Sequence, residues 1–319
     1  MSRPTRSLLV IGASLIFLAP ALPAERGNAA WWGPAPPSAP PSQRDRSELD
    51  RTNLPDTEEF LREIRKKLEI DERRQLQYTY LETVTERERD GNGRVQRTKV
   101  QEYEVSSAQD LGYRRLTREN GRPVPPAVLS REDAKHREKV EAFVRERQRE
   151  SSETRAKRLA KEARGRVEEQ QAIDELFRML QGELVGRDAL DGRATLVLAF
   201  HPRPNVKPTS RIGRVFRSVE GRAWFHEIDR ELMKVDLQFV DNVSFGLGVL
   251  ARLRKGATAA FERRLVDGEQ WLPARYSFFG SGRVMMFKSL RIDTDVQFSQ
   301  YRRATVATNE AFSLSQKPD

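Results

Sequence analysis

Cysteine is absent from the 319 residues. Its absence excludes a disulfide scaffold, cysteine-ligated zinc, an iron–sulfur cluster, a thiol nucleophile and an acylated N-terminal cysteine. Histidine is scarce, with only His136, His201 and His226. None belongs to a His-x-x-x-His pair or a Glu-containing zinc motif, and no Gly-x-Ser-x-Gly nucleophile elbow occurs. Apolar residues make up 37% and aromatics 8%, with a mean hydropathy of −0.70. That is a thin supply, yet the length allows one large or two ordinary domains with a genuine core. Past the first thirty residues no stretch is apolar enough to cross a bilayer. Charge is what abounds: 33% of the chain is Asp, Glu, Lys or Arg, and 57 Lys plus Arg against 47 Asp plus Glu give +10.

The N-terminal residues point to export. Arg3 and Arg6 precede an apolar run from Leu8 to Leu22, followed by Ala21 and Ala24. A cationic flank, a short apolar run and a small-residue exit form the pattern of a secretory signal peptide. Gly12, Pro20 and Pro23 interrupt the run below the ~20 residues of a spanning helix. The expected division is a signal peptide at 1–24, a Pro-rich disordered tether at 25–50, one folded domain at 51–302 and a disordered tail at 303–319. The product is expected to be soluble, exported and periplasmic. An exported basic protein rarely meets nucleic acid, and no cation-aromatic platform for single strands is present. An anionic membrane surface is the more available partner.

Within the domain, Asp56 and Glu59 resemble a capping box before a helix that places Phe60, Leu61, Ile64 and Leu68 on one face. Alternation then predicts strands. Leu76, Tyr78, Tyr80 and Val84 alternate with polar residues up to Arg89, and Asp90-Gly91-Asn92-Gly93 supplies a reversal into Val95–Val105. A third strand is expected over Tyr113–Thr117, ending at Asn120-Gly121 and the prolines beyond.

Residues 131–170 hold 13 Lys/Arg and 10 Asp/Glu. Ser130 with Asp133 reads as an N-cap, so a charged helical excursion is expected over 130–180. It should project into solvent until Gly165 and return through Ile173, Leu176, Phe177 and Leu180. Such a run is ordinarily a solvated face. The competing reading makes helix 131–164 the docking surface for a protein partner.

From Glu183 onward the chain reads as β, with strands over Thr195–Phe200, Arg222–His226, Leu232–Asp241, Ala257–Val266, Gln270–Phe279 and Val284–Tyr301. Asp191-Gly192, Asp267-Gly268 and Gly280-Ser281-Gly282 serve as expected reversals. Strands joined by short turns pair antiparallel. The expected fold class is therefore α+β, a large curved antiparallel sheet with helices packed on one side.

This order of elements resembles the LolA-like and RseB-like half-barrel superfamily, which includes periplasmic lipoprotein carriers and envelope-stress regulators. The resemblance rests on Glu220-Gly221-Arg222-Ala223-Trp224-Phe225, on Ile228 to Val235, and on Trp271-Leu272-Pro273 before a long strand. It spans roughly residues 56–302, as a similarity of layout. The charged helix at 131–164 and the apolar stretch at 242–253 depart from the usual carrier. The resemblance implies an incomplete β-barrel with helices on its concave side and an apolar face that binds acyl chains without covalent chemistry.

Three further features bear on function. Gly246 to Ala251 matches G-x-G-x-x-A, but the surroundings read as an antiparallel meander and not a βαβ unit, so no dinucleotide and no other cofactor is expected. Val243, Phe245, Leu247, Val249, Leu250 and Leu253 end in Arg252, Arg254 and Lys255, and read either as a loop covering the sheet or as a membrane-facing lip. Asp293 and Asp295 share a strand face, where solvent exposure is expected over acid–base catalysis.

The residues expected to line a lipid site are Tyr78, Tyr80, Trp224, Phe239, Phe245, Leu247, Leu250, Phe261, Trp271, Phe278 and Phe287. The expected function is a non-catalytic periplasmic binding protein for lipid or lipidated-protein acyl chains. The alternative is an envelope regulatory or scaffold protein acting through the charged helix.

Overall fold

The computed structural model describes residues 49–68, 75, 77–90, 92–108, 111–245, 251–284 and 288–304. The expected signal peptide, nearly all of the tether and the tail from 305 onward lie outside the described residues.

Helix α1 (Thr57–Lys67) is followed by β1 (Tyr78–Arg89), β2 (Val95–Ala108), β3 (Leu111–Glu119) and the two-residue β4 (Arg122–Pro123). Two long helices come next, α2 (Pro126–Gln148) and α3 (Ser152–Met179). The second half begins with β5 (Leu180–Leu190), β6 (Arg193–Pro202), the short α4 (Arg211–Phe216), β7 (Val219–His226) and β8 (Leu232–Phe239). It ends with β9 (Val243–Phe245), β10 (Ala251–Leu253), β11 (Thr258–Val266), β12 (Gln270–Val284) and β13 (Lys288–Arg303). Thirteen strands form one sheet in the order β4-β3-β2-β1-β13-β12-β11-β8-β7-β6-β5, with β9 and β10 branching from β12. The strand pairs are antiparallel and the path ends at β4 and β5 without joining them, so the fold is an open half-barrel of the α+β class.

The hairpin reversals follow from turn chemistry. Asn120-Gly121, Asp191-Gly192 and Asp267-Gly268 each take two successive positive φ angles, the conformation that matches the twist of the flanking strands. Gly280-Ser281-Gly282 behaves differently from expectation, because β12 runs straight through it. A Cβ on Gly280 would lie 2.9 Å from the Ala257 Cβ, and one on Gly282 would lie 2.3 Å from the Arg252 carbonyl oxygen. These glycines admit close neighbours and do not reverse the chain.

Cross-strand registers define two faces. Leu184, Leu198, Ala223, Val235, Phe261, Tyr276, Val296 and Val84 are successive partners from β5 across to β1, and all belong to or pack on one apolar cluster. This is the core face. Helix α1 docks on it near β5. Phe60 and Ile64 are buried, and the Phe60 ring meets Phe225 edge-on at 5.4 Å. Burying two such side chains contributes about 2–3 kcal/mol each. Asp56 caps this helix by accepting from the Glu59 amide at 2.8 Å, as the sequence pattern predicts.

The charged excursion is two helices and not one. The break falls at Arg149–Ser151, where Ser151 caps α3, whereas Gly165 lies inside an uninterrupted helix. Ala172, Ile173 and Met179 return α3 to the body. Ser130 does not cap a helix, and Asp133 does not sit in a first turn. Helix α2 begins earlier, at Pro126, where a proline lacking an N–H loses no helical hydrogen bond. Asp133 is instead buried against β3. It accepts from Arg115 Nε at 2.9 Å, Arg115 Nη2 at 3.0 Å and the Tyr113 hydroxyl at 2.7 Å. Segment 242–253 is a β9–β10 pair that adds Val243 and Leu253 to the core, and residues 246–250 lie outside the described residues.

Candidate functional site

The core face changes character along its width. Near β5 it is covered by α1 and by the end of α3, on which α4 in turn packs. Toward β13, β1, β2 and β3 Val84 and Val296 are still buried, whereas Ile292, Phe298, Tyr80, Tyr103 and Leu116 are only half-buried. Tyr80 lies 5.9 Å from the Phe298 ring and 5.1 Å from Tyr301, and burial followed by the nearby Glu82 charge pushes its phenol pKa up. Along the next row Phe298, Glu82, Tyr103 and Leu116 are cross-strand partners on the same face. Arg114, two residues before Leu116, shares that face and donates to both Glu82 oxygens, from Nε at 2.9 Å and Nη2 at 2.8 Å. Its guanidinium carbon sits 3.4 Å from the Tyr103 ring centroid. Desolvation opposes the charge on Arg114, but the Glu82 carboxylate outweighs it and raises the pKa. An aromatic surface thus ends in a fixed, half-exposed cation.

This arrangement suits an amphiphile. The aromatic and aliphatic side chains would suit hydrocarbon, and the Arg114–Glu82 ion pair gives the surface a polar edge that is neutral overall. Among the described residues, no group of three or more His, Asp or Glu side chains is placed to hold a metal ion.

The residues expected to line the site divide between surfaces. Tyr80, Phe261 and Phe278 share the core face, and Phe239 joins them in the cluster, 6.5 Å from Phe278. Phe239 and Phe278 are buried, while Tyr80 and Phe261 are half-buried. Trp224 lies on the opposite face, because its neighbours Ala223 and Phe225 belong to the core. Its Nε1 donates to Asp188 Oδ2 at 3.1 Å and Lys234 stands 4.9 Å over its ring. Trp271 packs beside His226 and Arg193, each 5.9 Å away. Tyr78 forms a separate cluster with Val266, Leu272 and Tyr301. Leu247, Leu250 and Phe287, and the side chain of Phe245, lie outside the described residues.

Arg114, Glu82, Tyr103 and Phe298 are not among the residues expected to line the site. A signal existed in the alternation of β3, which puts Arg114 and Leu116 on one face and so sets a cation beside an apolar residue. Asp293 and Asp295 are not open to water as expected. Asp293 accepts from Arg89 Nε at 2.5 Å and from Arg87 at 3.3 Å, and Asp295 from Arg275 at 2.7 Å. Their burial reflects the guanidinium stems lying over them.

No protein-family model matches the chain and no curated protein matches it. Two solved structures are similar in layout. One is a domain from Vibrio parahaemolyticus named for outer membrane lipoprotein sorting. It is 11% identical, with a TM-score of 0.31 over 81% of this chain and 96% of that one. The other is a DUF1329 family protein from Desulfovibrio piger. It is 12% identical, with a TM-score of 0.27 over 81% of this chain and 95% of that one.

Proposed function

We propose that this chain is a non-catalytic periplasmic binding protein that holds acyl chains of lipids or lipidated proteins against the core face of its half-barrel. The observation carrying this reading is the half-buried margin of that face. There Ile292, Phe298, Tyr80 and Tyr103 are half-buried beside the Arg114–Glu82 pair, on a sheet whose two end strands do not meet. A chain burying about ten methylenes at ~0.8 kcal/mol each gains about 8 kcal/mol, the scale of a micromolar complex. Half-exposed aromatics have few polar groups to satisfy and so accept chains of differing shape. Release needs only a second surface offering equal burial, so no fuel is required at the site.

The test is native mass spectrometry of the exported protein for co-purified lipid, joined to displacement of a fluorescent fatty acid. Phe298→Asp should weaken uptake at least about tenfold, because a carboxylate would be desolvated wherever the chain lies. Repeated recovery of empty protein that takes up neither fatty acid nor labelled lipoprotein would overturn the proposal.

A further inference from the structure

The two long helices have a charge distribution that helix stability does not explain. Between Arg145 and Arg166 there are nine Lys/Arg and four Asp/Glu. The rest of α3 is acidic, with Glu168, Glu169, Asp174 and Glu175. A helix macrodipole favours carboxylates at its N-terminus and cations at its C-terminus. Helix α3 follows that rule at its ends, with Glu153 in the first turn and Arg178 in the last, so the dipole leaves the cations from Arg155 to Arg166 unexplained.

Part of this charge is internally matched. Arg145 pairs with Glu141, Lys157 with Glu153, and Arg158 with Glu150 and Glu162. Arg155, Lys161, Arg164 and Arg166 are exposed and form no ion pair among the described residues. Two large apolar side chains stand exposed among them, Leu159 at 48% and Val167 at 55%. At 100° per residue Arg155, Leu159 and Arg166 fall within about 40° of one another, on one stripe. The carrying segments are long. Helix α2 is clamped to β3 at Asp133 and α3 rejoins the body at Ala172, so at 1.5 Å per residue their junction at Arg149–Ser151 sits about 25–30 Å along each helix from its anchor.

We propose that the Arg145–Arg166 region, chiefly the first half of α3, docks this protein on an anionic membrane surface. Unmatched cations supply attraction to anionic head groups, and Leu159 and Val167 supply shallow apolar contact, the combination that an interfacial helix uses. No helix among the described residues is long and apolar enough to cross a membrane, so the contact is peripheral. A folded acidic protein would offer carboxylates at fixed places. On α3 the stripe of Arg155, Leu159 and Arg166 makes the contact, while Lys161 and Arg164, on the side away from Arg155, add longer-range attraction that needs no fixed partner geometry.

The docking does not depend on the acyl-chain reading, and the test separates the two. Co-sedimentation of the exported protein is compared between neutral phosphatidylcholine vesicles and vesicles with about 30% phosphatidylglycerol, across a salt series. The expected result is binding to anionic vesicles that fades as salt rises. R155Q/K161Q/R164Q/R166Q should lose at least about 100-fold in vesicle affinity, with far-UV circular dichroism and fatty-acid displacement unchanged. Equal binding to neutral vesicles, retained binding in the variant, or capture by soluble acidic proteins without any vesicle binding would each overturn it. Failure of fatty-acid uptake alone would bear only on the core face.

Discussion

Removing Asp133 tests how the helical pair is attached. Its side chain is 6% exposed and faces Arg115, which is 18% exposed. Asp133→Ala deletes two charge-assisted bonds from Arg115 and one from Tyr113. Truncating one partner of a buried pair typically costs about 3–5 kcal/mol. Arg115 keeps Glu104 at 3.1 Å, but that carboxylate is half-exposed, so the recovery is partial and the expected loss is about 2–4 kcal/mol. The loss should be local. Asp133 is the point where α2 meets β3, whereas α3 is held separately through Ile173 and Met179. Hydrogen exchange should therefore accelerate across α2 while β6–β8 amides keep their protection. The acid dependence has a definite sign. Burial opposes the ionised form of Asp133, but hydrogen bonds from Arg115 and Tyr113 prevail and lower its pKa. A carboxylate depressed on folding stabilises above its unfolded pKa of ~3.9, and that contribution fades as pH falls through the folded value. Helix α2 should loosen below about pH 4 in the native protein and show no such step in Asp133→Ala. Unchanged α2 exchange in the variant would refute the clamp.

Further predictions concern the core and the second anchor. Phe60→Ala should cost about 3–5 kcal/mol in urea unfolding, since the ring is buried against Phe225, and a loss under about 1 kcal/mol would mean that α1 is not docked. Glu175, 5% exposed, accepts from the Thr209 amide and hydroxyl and from Arg178, so Glu175→Ala should destabilise by about 2–4 kcal/mol and free α4, read by proteolysis near Thr209. Gly221→Ala places a Cβ 2.1 Å from the Asp236 carbonyl oxygen and 2.8 Å from Leu237 Cα. It should lower the melting temperature by several degrees or abolish soluble expression, and a wild-type melt would show that β7 and β8 are further apart than described. Arg114→Ala should weaken fatty-acid uptake more than uptake of an uncharged long-chain alcohol, because it leaves the Glu82 carboxylate unpaired beside the proposed acyl-chain site; equal losses would remove Arg114 from that role.

The strands and their class were legible because their signals are local. Alternation from Tyr78 to Arg89, the Asp-Gly turns and the Asp56 cap each depend on a few neighbouring residues, and each appears where the pattern puts it. The misread features depend on partners distant in sequence. Ser130 followed three residues later by Asp133 has the form of a helix start, but the partners of Asp133 lie about eighteen to twenty residues upstream on β3. Gly280 and Gly282 resembled a turn because nothing nearby reveals the strands crowding them. The division of aromatics between faces follows from register. A single step of parity puts Phe225 in the core and Trp224 opposite, although both satisfy a list of bulky apolar residues. Arg114 was missed because a cation in an Arg-rich chain carries little information until its neighbours are known.

The pairing of β1 with β13 has a consequence for how the molecule is made. The first long ribbon and the final one meet in the middle of the sheet, through partners such as Val84 and Val296. Until β13 emerges, β1–β4 and β5–β12 are two slabs with no strand pairing between them, each with a raw hydrogen-bonding border. Loss of the terminal thirty or so residues would not trim this protein but split it. A nascent chain must keep two sticky borders apart until this segment arrives, so strand-edge association is a hazard of the interval before β13 is in place.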